Sequence, residues 1–369
     1  MSLNQLSGIS IAGVSACVPE QVVKNSEYPL FTVEEYQKFL DSVGIAEKRV
    51  TEPGVCTSDL CYTAAKQLIQ DLAWPLEDIG VLVFVSHTAD YKLPATSCLL
   101  QERLGLSTSC MTLDISLGCS GYTHGLQVVG ALMSSGKIKK GLLLAGNTQS
   151  HYASPEDKSV YPLFADAGTA TALEFTGEDL VICFEFGTDG SGAQAIILED
   201  GGCRNPVTEE SFVVKDYGQG IRRSRLHEAM DGLEVYSFGV SKVPTSVRAL
   251  CAEFGIELDT LDFYLFHQAN KMMINKIAKK LGLPSDKVPM NLDRFGNSSC
   301  ATLPLLMVTE LGESLRNQSL RLLLCGFGVG LSWGSAVIET RPMVVSELLE
   351  YPNRENGGDG RVNNLTYEF

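Results

Sequence analysis

The sequence predicts an α/β protein that is built as two copies of one plan and stacked in five layers, α-β-α-β-α. Short apolar segments with the length of buried strands alternate with helical segments, which is typical of βαβ units. The same series of segments occurs twice along the 369 residues. One helical segment in each copy is apolar on most of its faces, which indicates a helix buried between two sheets.

Each copy begins with an apolar strand that runs into a polar loop and a helix. The first copy reads DIGVLVFVSHTAD from Asp78, and its helix ends in ERLGL at 102–106. The second reads LDFYLFHQAN from Leu261, and its helix ends in AKKLGL at 278–283. Both helices therefore stop at the same three letters, LGL.

The two copies stay in register beyond these helices. Cys119 lies 15 positions after Leu104, and Asn297 lies 16 positions after Leu281. An apolar helix follows each of these two residues, and a buried strand follows each helix, GLLLAG in the first copy and RLLLCG in the second. Self-similarity at such a long period indicates gene duplication rather than a solenoid, whose repeats are much shorter.

The repeat divides the chain near residue 176. We expect a first half over 1–176, a second half over 177–341 and an added C-terminal extension over 342–369, which is polar at its end and lies outside the repeat. A polar segment over about 187–233 interrupts the second half and is expected to form a loop excursion.

Composition excludes several classes of function. A formal charge of −15 argues against a nucleic-acid partner. No apolar run reaches the length of about 18 residues that a membrane span needs, and the N-terminus lacks the pattern of a signal peptide. The eleven cysteines are scattered without a metal-binding spacing. We therefore expect no disulfide scaffold, no metal or cofactor, and a cytoplasmic location.

Cys119 is the candidate nucleophile. It follows Gly118 and opens an apolar helix, which suits a tight strand-to-helix turn that exposes the sulfur. A helix N-terminus favours negative charge by roughly 0.3–2 kcal/mol, so we expect the thiol pKa to fall by up to about one unit. The alternative is that Cys119 is one more small buried core residue.

His267 and Asn297 are the candidate partners of this thiol. Taken alone, His267 at a strand end reads as a core histidine, and Asn297 before a helix reads as an N-cap. Equivalent loops of a duplicated fold meet near the pseudo-twofold axis, however, which brings both residues close to Cys119. The glycine run GFGVG at 326–330 follows a strand and can direct backbone N–H groups at an oxyanion.

Four motifs carry a resemblance to a known family. GCSG at 118–121, HQAN at 267–270, DRFGNSS at 293–299 and GFGVGLSWGS at 326–335 together resemble ketoacyl synthase III, a thiolase-fold family that primes fatty-acid and related chains. The resemblance runs from about residue 8 to residue 340. It implies a thiolase-like fold and a homodimer.

The resemblance also implies roles for single residues. Cys119, His267 and Asn297 correspond to the family's catalytic triad, and the backbone N–H groups of Cys119 and Val329 to its oxyanion hole. Leu93, which precedes a proline, corresponds to the residue that reaches the partner's acyl pocket. The usual occupant there is a larger Phe, so Leu93 hints at a roomier pocket.

The implied reaction has two halves. Cys119 takes an acyl group from a thioester of CoA or acyl carrier protein, and a malonyl thioester then loses carbon dioxide and attacks the acyl-enzyme. His267 and Asn297 are expected to hydrogen-bond the enolate oxygen. The competing hypotheses are an acyltransferase that passes the acyl group to an alcohol, amine or thiol, and a catalytically silent scaffold.

Several positions depart from the family's CoA contacts. Lys38 and Ser42 stand where many members have Trp and Arg, Lys158 replaces an arginine, and Leu233 replaces an asparagine. These departures favour a carrier protein, or an unusual thioester, over CoA as the acyl donor.

A cluster of three arginines, Arg222, Arg223 and Arg225, is a candidate docking surface for an acidic carrier protein. Clustered cations can steer such a partner by long-range attraction. A solvated loop is an equally good reading of this cluster.

Overall fold

The computed structural model describes residues 2–353, so residues 354–369 of the predicted extension lie outside the described residues. The strands are β1 Ser2–Ser7, β2 Ile9–Pro19, β3 Val22–Lys24, β4 Glu47–Arg49, β5 Ile79–Val85, β6 Met111–Ile115, β7 Lys140–Thr148, β8 Asp166–Phe175, β9 Val181–Thr188, β10 Ile196–Leu198, β11 Lys215–Asp216, β12 Arg222–Arg223, β13 Glu228–Met230, β14 Phe263–Phe266, β15 Arg321–Gly328, β16 Ser332–Glu339, β17 Val344–Val345 and β18 Leu349–Tyr351. The α-helices are α1 Val33–Ser42, α2 Thr57–Asp71, α3 Thr96–Arg103, α4 Gly121–Met133, α5 Gly232–Phe254, α6 Lys271–Leu281, α7 Leu292–Phe295 and α8 Thr302–Asn317.

Two large mixed sheets form the body of the protein. One has the strand order β17-β2-β8-β7-β5-β6, and β18 also pairs with β2. The other has the order β1-β9-β16-β15-β14. In both sheets the strands that open each copy of the repeat pair in parallel, β5 with β6 and β7, and β14 with β15. The predicted α/β class with mixed sheets is confirmed.

Helices α4 and α8 fill the space between the two sheets. Their buried side chains, among them Leu126 and Leu306, share one core with Leu143 of the first sheet and Leu324 of the second. Helices α2 and α3 cover the outer face of the first sheet, and α5 and α6 cover the outer face of the second. The predicted five layers are therefore present.

Glycines let α4 lie close to the first sheet. A Cβ atom added at Gly125 would come within 2.5 Å of Leu143, and one added at Gly121 within 2.5 Å of Val85. This close approach fixes the start of α4, and hence the loop that carries Cys119, against the end of β5.

The first strand and the last two strands of the described residues belong to different sheets. Strand β1 pairs with β9 in the second sheet, while β17 and β18 join the first sheet beside β2. The division of the chain near residue 176 stays a prediction. Within residues 2–353 no helix is both long and apolar enough to cross a membrane.

The two copies differ at the Leu-Asp pair that they share. Leu113 and Asp114 lie in strand β6, whereas the matching Leu292 and Asp293 form the short helix α7. Gly296 ends this helix with φ 58°, a conformation that glycine adopts without strain. The chain thereby turns directly into the segment that carries Asn297.

Candidate active site

Cys119 lies in the loop between β6 and α4 and is buried, with 5% of its surface exposed. Helix α4 begins at Gly121, so the thiol precedes the first helical residue by two positions. The N–H of Gly121 donates to the carbonyl of Gly118 at 2.7 Å, which closes the tight turn that the sequence predicted.

The expected lowering of the Cys119 pKa is wrong. Burial raises the pKa of this thiol to about 11, although hydrogen bonds from Ser299 and from the backbone N–H of Val329 favour the thiolate. Desolvation penalises the charged form over the whole sulfur, whereas the helix dipole acts mainly within the first turn, which begins beyond Cys119. The thiol is therefore protonated at neutral pH and needs a base.

The glycine turn packs directly on the thiol. A Cβ atom added at Gly328 would lie 2.8 Å from Sγ of Cys119, and one added at Gly326 would lie 2.7 Å from the carbonyl oxygen of Cys119. Only glycine leaves space for the thiol here. The turn brings the N–H of Val329 close to the sulfur, where it favours the thiolate.

His267 follows the last residue of β14 and is 1% exposed. Its N–H donates to the carbonyl of Cys325 at 2.8 Å, which continues the pairing of β14 with β15. Its Nδ1 lies 2.8 Å from Oγ1 of Thr302, and the Thr302 hydroxyl donates to the carbonyl of Ser299 at 2.8 Å. Burial lowers the pKa of His267 to about 3, so the imidazole is neutral at working pH.

Hydrogen bonds fix both the backbone and the side chain of Asn297. Its backbone N–H donates to the carbonyl of Leu163 at 2.9 Å, and its carbonyl accepts from Ala165 at 3.0 Å. The side-chain Oδ1 accepts from the N–H of Ser299 at 3.0 Å. The amide oxygen is therefore occupied, which leaves Nδ2 as the donor that a ligand can use.

The three candidate residues share one cavity. It has a volume of about 80 Å³, and its walls include Cys119, His267, Asn297, Gln149 and Glu228. A thiol, a neutral imidazole and an amide donor around one small space suit acyl transfer and the stabilisation of an oxyanion. The catalytic roles of the three residues stay predictions.

Sequence reasoning missed several residues of this site. Ser299 stands inside the DRFGNSS motif and has a φ of 56°, rare for a residue with a side chain, and its hydroxyl lies 3.8 Å from Sγ of Cys119. Thr302, which orients His267, had no separate signal in the sequence. Gln149 and Glu228 come from a strand end and from the polar excursion, where nothing in the local pattern pointed to the cavity.

Leu93 lies away from this cavity in the same chain. Its side chain is 83% exposed, and the bond to Pro94 is cis. Its predicted role at the pocket of a partner subunit stays a prediction.

Each of the three arginines forms an ion pair with a carboxylate of the same chain. Arg222 pairs with Glu156 at 3.1 Å, Arg223 with the buried Asp157 at 2.8 Å, and Arg225 with Asp200 at 2.9 Å. Their charges are therefore largely neutralised within the protein, which weakens the attraction for an acidic partner. The docking role stays a prediction.

Some of the residues that depart from the family's CoA contacts form contacts within the chain instead. Lys158 pairs with Glu35 at 2.8 Å, and the Ser42 hydroxyl donates to the carbonyl of Lys38 at 2.7 Å. Leu233 is 77% exposed and adjoins Gly232, which lines the cavity.

Comparisons with known proteins agree on one family. The family model for 3-oxoacyl-[acyl-carrier-protein (ACP)] synthase III matches residues 113–190, and the model for its C-terminal part matches residues 251–340. A relative from Rhodopirellula baltica, beta-ketoacyl-[acyl-carrier-protein] synthase III, is 30% identical over 354 residues, covering 91% of this chain and 99% of the relative.

Solved structures give the same result. The 3-oxoacyl-(acyl-carrier protein) synthase of Burkholderia xenovorans LB400 superposes with a TM-score of 0.89 at 38% identity, covering 95% of this chain and 99% of that one. The 3-oxoacyl-(acyl carrier protein) synthase III of Pseudomonas aeruginosa PAO1 superposes with a TM-score of 0.78 at 25% identity, covering 91% and 99%.

Proposed function

This chain belongs to the 3-oxoacyl-[acyl-carrier-protein] synthase III family, and we propose that it condenses an acyl group held on Cys119 with a malonyl thioester. The observation that carries the proposal is the cavity in which Cys119, His267 and Asn297 meet. The fold is thiolase-like, and the enzyme is a condensing enzyme of the ketoacyl synthase III type.

The first half reaction transfers the acyl group to the thiol. Because the Cys119 thiol is protonated, a base must accept its proton. Nδ1 of His267 faces Thr302 and the backbone of Ser299 as a donor, which leaves Nε2 with a free lone pair. His267 takes the thiol proton, the sulfur forms a bond to the acyl carbon, and the departing thiolate of the donor receives the proton.

The N–H of Val329 stabilises the oxyanion of this step. This N–H lowers the pKa of the Cys119 thiol, so it is close to the sulfur and to the carbon that the sulfur attacks. One such donor typically contributes about 10²–10³ in rate.

The second half reaction needs two hydrogen-bond donors at the enolate oxygen. The malonyl carboxylate leaves as carbon dioxide, and its bonding electrons form an enolate that attacks the acyl carbon. The bond from this carbon to the sulfur of Cys119 breaks, and the released thiolate takes a proton from solvent. Nδ2 of Asn297 is free to donate to the enolate oxygen because Oδ1 is already bound by Ser299. His267 joins it in the tautomer whose proton is on Nε2. This tautomer forms when Nδ1 loses its proton to solvent, Nε2 takes one up, and the Thr302 hydroxyl turns to donate to Nδ1.

The donor and the assembly are also part of the proposal. The internal ion pair of Lys158 and the exposed, apolar Leu233 support a carrier-protein thioester rather than CoA as the acyl donor. We propose a homodimer in which Leu93 reaches the partner's acyl pocket, and Leu93→Phe should then shorten the preferred chain. The eleven free thiols support a cytoplasmic location.

Two measurements on the same variants test the condensation. We expect His267→Ala and Asn297→Ala to form acyl-enzyme, detected by intact-protein mass, although His267→Ala forms it slowly. Both should release labelled carbon dioxide from a malonyl thioester at least about 10²-fold more slowly than the wild type. Asn297→Asp should be slower still, since a carboxylate repels the enolate.

Asn317→Ala is the matched control, because Asn317 is exposed at the end of α8. Release of carbon dioxide at the wild-type rate by both site variants would overturn the condensation in favour of simple acyl transfer from Cys119.

A further inference from the structure

A buried polar pair adjoins the thiol. Gln149, which follows β7, and Glu228, which opens β13, are both at most 5% exposed, and Nε2 of Gln149 donates to Oε2 of Glu228. Among the residues that the structure describes, neither Oε1 of Gln149 nor Oε1 of Glu228 has a hydrogen-bond partner. A buried oxygen without a hydrogen-bond partner destabilises the folded protein unless a ligand supplies the missing donor.

The pair lies beside the thiol, in the walls of two cavities. Gln149 and Glu228 line the cavity that contains Cys119, and they also line a second cavity of about 180 Å³. Val329 belongs to both walls as well. Both cavities therefore place Gln149 and Glu228 beside an acyl group whose carbonyl oxygen binds the N–H of Val329.

We propose that the acyl group accepted by Cys119 carries a hydrogen-bond donor, a hydroxyl or an amine, that binds Oε1 of Glu228 and Oε1 of Gln149. The inference rests on the proposed function only in that Cys119 takes an acyl group. It adds the substrate class, a polar acyl chain in place of a plain hydrocarbon one.

The polar groups of Gln149 and Glu228 favour a ligand group that donates hydrogen bonds. Within the described residues the Glu228 carboxyl group forms no ion pair with a cation, and burial raises its pKa to about 7. An ionised Glu228 and the Gln149 amide oxygen both accept hydrogen bonds, and a plain methyl or methylene group satisfies neither. A site built to bind a hydroxyl or amino group typically rejects the analogue that lacks it by a factor of about 10⁴–10⁵.

The test compares acylation of Cys119 by pantetheine thioesters of matched length. One set is plain, a second carries a hydroxyl group and a third an amino group, at C3 or at the terminal carbon. We expect the wild type to be acylated at least about 10²-fold more efficiently by a hydroxyl- or amino-bearing chain than by its plain counterpart.

Gln149→Leu/Glu228→Leu should reverse this preference and raise acylation by the plain chain. The double variant removes both unpaired oxygens together and should melt no lower than the wild type. Ile197→Val, which changes only the volume of the second cavity, should leave the ratio unaltered. If the double variant fails to fold, Glu228→Gln serves instead, because the neutral amide should reduce preference for an amino chain more than for a hydroxyl chain.

Equal acylation by plain and polar chains in the wild type would overturn the inference while leaving the proposed function intact. An equal loss with every thioester in the Glu228 variants would also overturn it, because Glu228 would then act on the chemistry rather than on the chain. Acylation by no thioester at all would overturn the proposed function, and the inference with it.

Discussion

Oγ1 of Thr302 lies 2.8 Å from Nδ1 of His267 while its own proton binds the carbonyl of Ser299. A hydroxyl group both donates and accepts, so Thr302 can accommodate either tautomer of the neutral imidazole. In the mechanism proposed above, His267 is the base for the thiol when its proton is on Nδ1, and the donor to the enolate when its proton is on Nε2.

Thr302→Val should separate these roles. Valine keeps the shape of threonine but forms no hydrogen bond through its side chain. In the variant, Nδ1 of His267 therefore loses its side-chain hydrogen-bond partner in either tautomer. We expect carbon dioxide release to fall about fivefold, since one hydrogen bond is worth about 1 kcal/mol, with little change in the KM for the malonyl thioester. Thr302→Ser should restore the rate. A Ser variant as slow as the Val variant would show that Thr302 acts through packing alone.

Gly328→Ala should abolish acylation. The added methyl group would lie 2.8 Å from Sγ and 2.7 Å from Cβ of Cys119, so the thiol must move. A displacement of about 1 Å can cost 10²-fold in rate, and we expect at least that loss in the burst of acyl-enzyme measured by mass. Gly190→Ala is the control, because no atom lies within 4 Å of its added Cβ. An unchanged burst in Gly328→Ala would contradict the packing of the glycine turn on the thiol.

The eleven cysteines should respond differently to two reagents. Cys98 and Cys203 are exposed, whereas burial raises the pKa of Cys119 to about 11. Limiting iodoacetamide at pH 7 should therefore label Cys98 and Cys203 first, because the exposed thiols meet the reagent directly. An acyl thioester should modify Cys119 instead, since the cavity positions the acyl carbon. Peptide mapping after each treatment checks this, and acylation of Cys98 by the thioester would refute it.

The layered fold was predictable because it follows from periodicity. Apolar strands such as GLLLAG are buried on both faces, with Leu143 in the central core and Leu144 against α2, and such strands read as continuous apolar runs. The duplication then placed α4 and α8 in equivalent positions. The difference between β6 and α7 was not predictable, because Leu113-Asp114 and Leu292-Asp293 are identical pairs that take their conformation from the surrounding chain.

The site was predictable only where a motif carried it. Cys119, His267 and Asn297 stand in recognisable motifs, and the structure brings them to one cavity. The direction of the Cys119 pKa shift was wrong because it depends on how completely the sulfur is desolvated, which a local pattern does not report. Glu228 was missed for a similar reason: it reaches the cavity only through the pairing of β13 with β10, two three-residue strands within a polar segment.

Glu228 should make the wild type less stable as the pH rises. Burial raises its pKa from the ordinary value near 4.5 to about 7, so the folded state binds more protons than the unfolded state between those two values. The free energy of unfolding therefore falls from about pH 4.5 to about pH 7 by an amount on the order of a few kcal/mol. Glu228→Gln removes this titration, so the variant should gain stability relative to the wild type across the same interval. Denaturant unfolding of both proteins at pH 5 and pH 8 measures the difference, and Glu310→Gln, at a partly exposed surface ion pair, is the control. A stability difference that is the same at both pH values would show that Glu228 is not held in its neutral form.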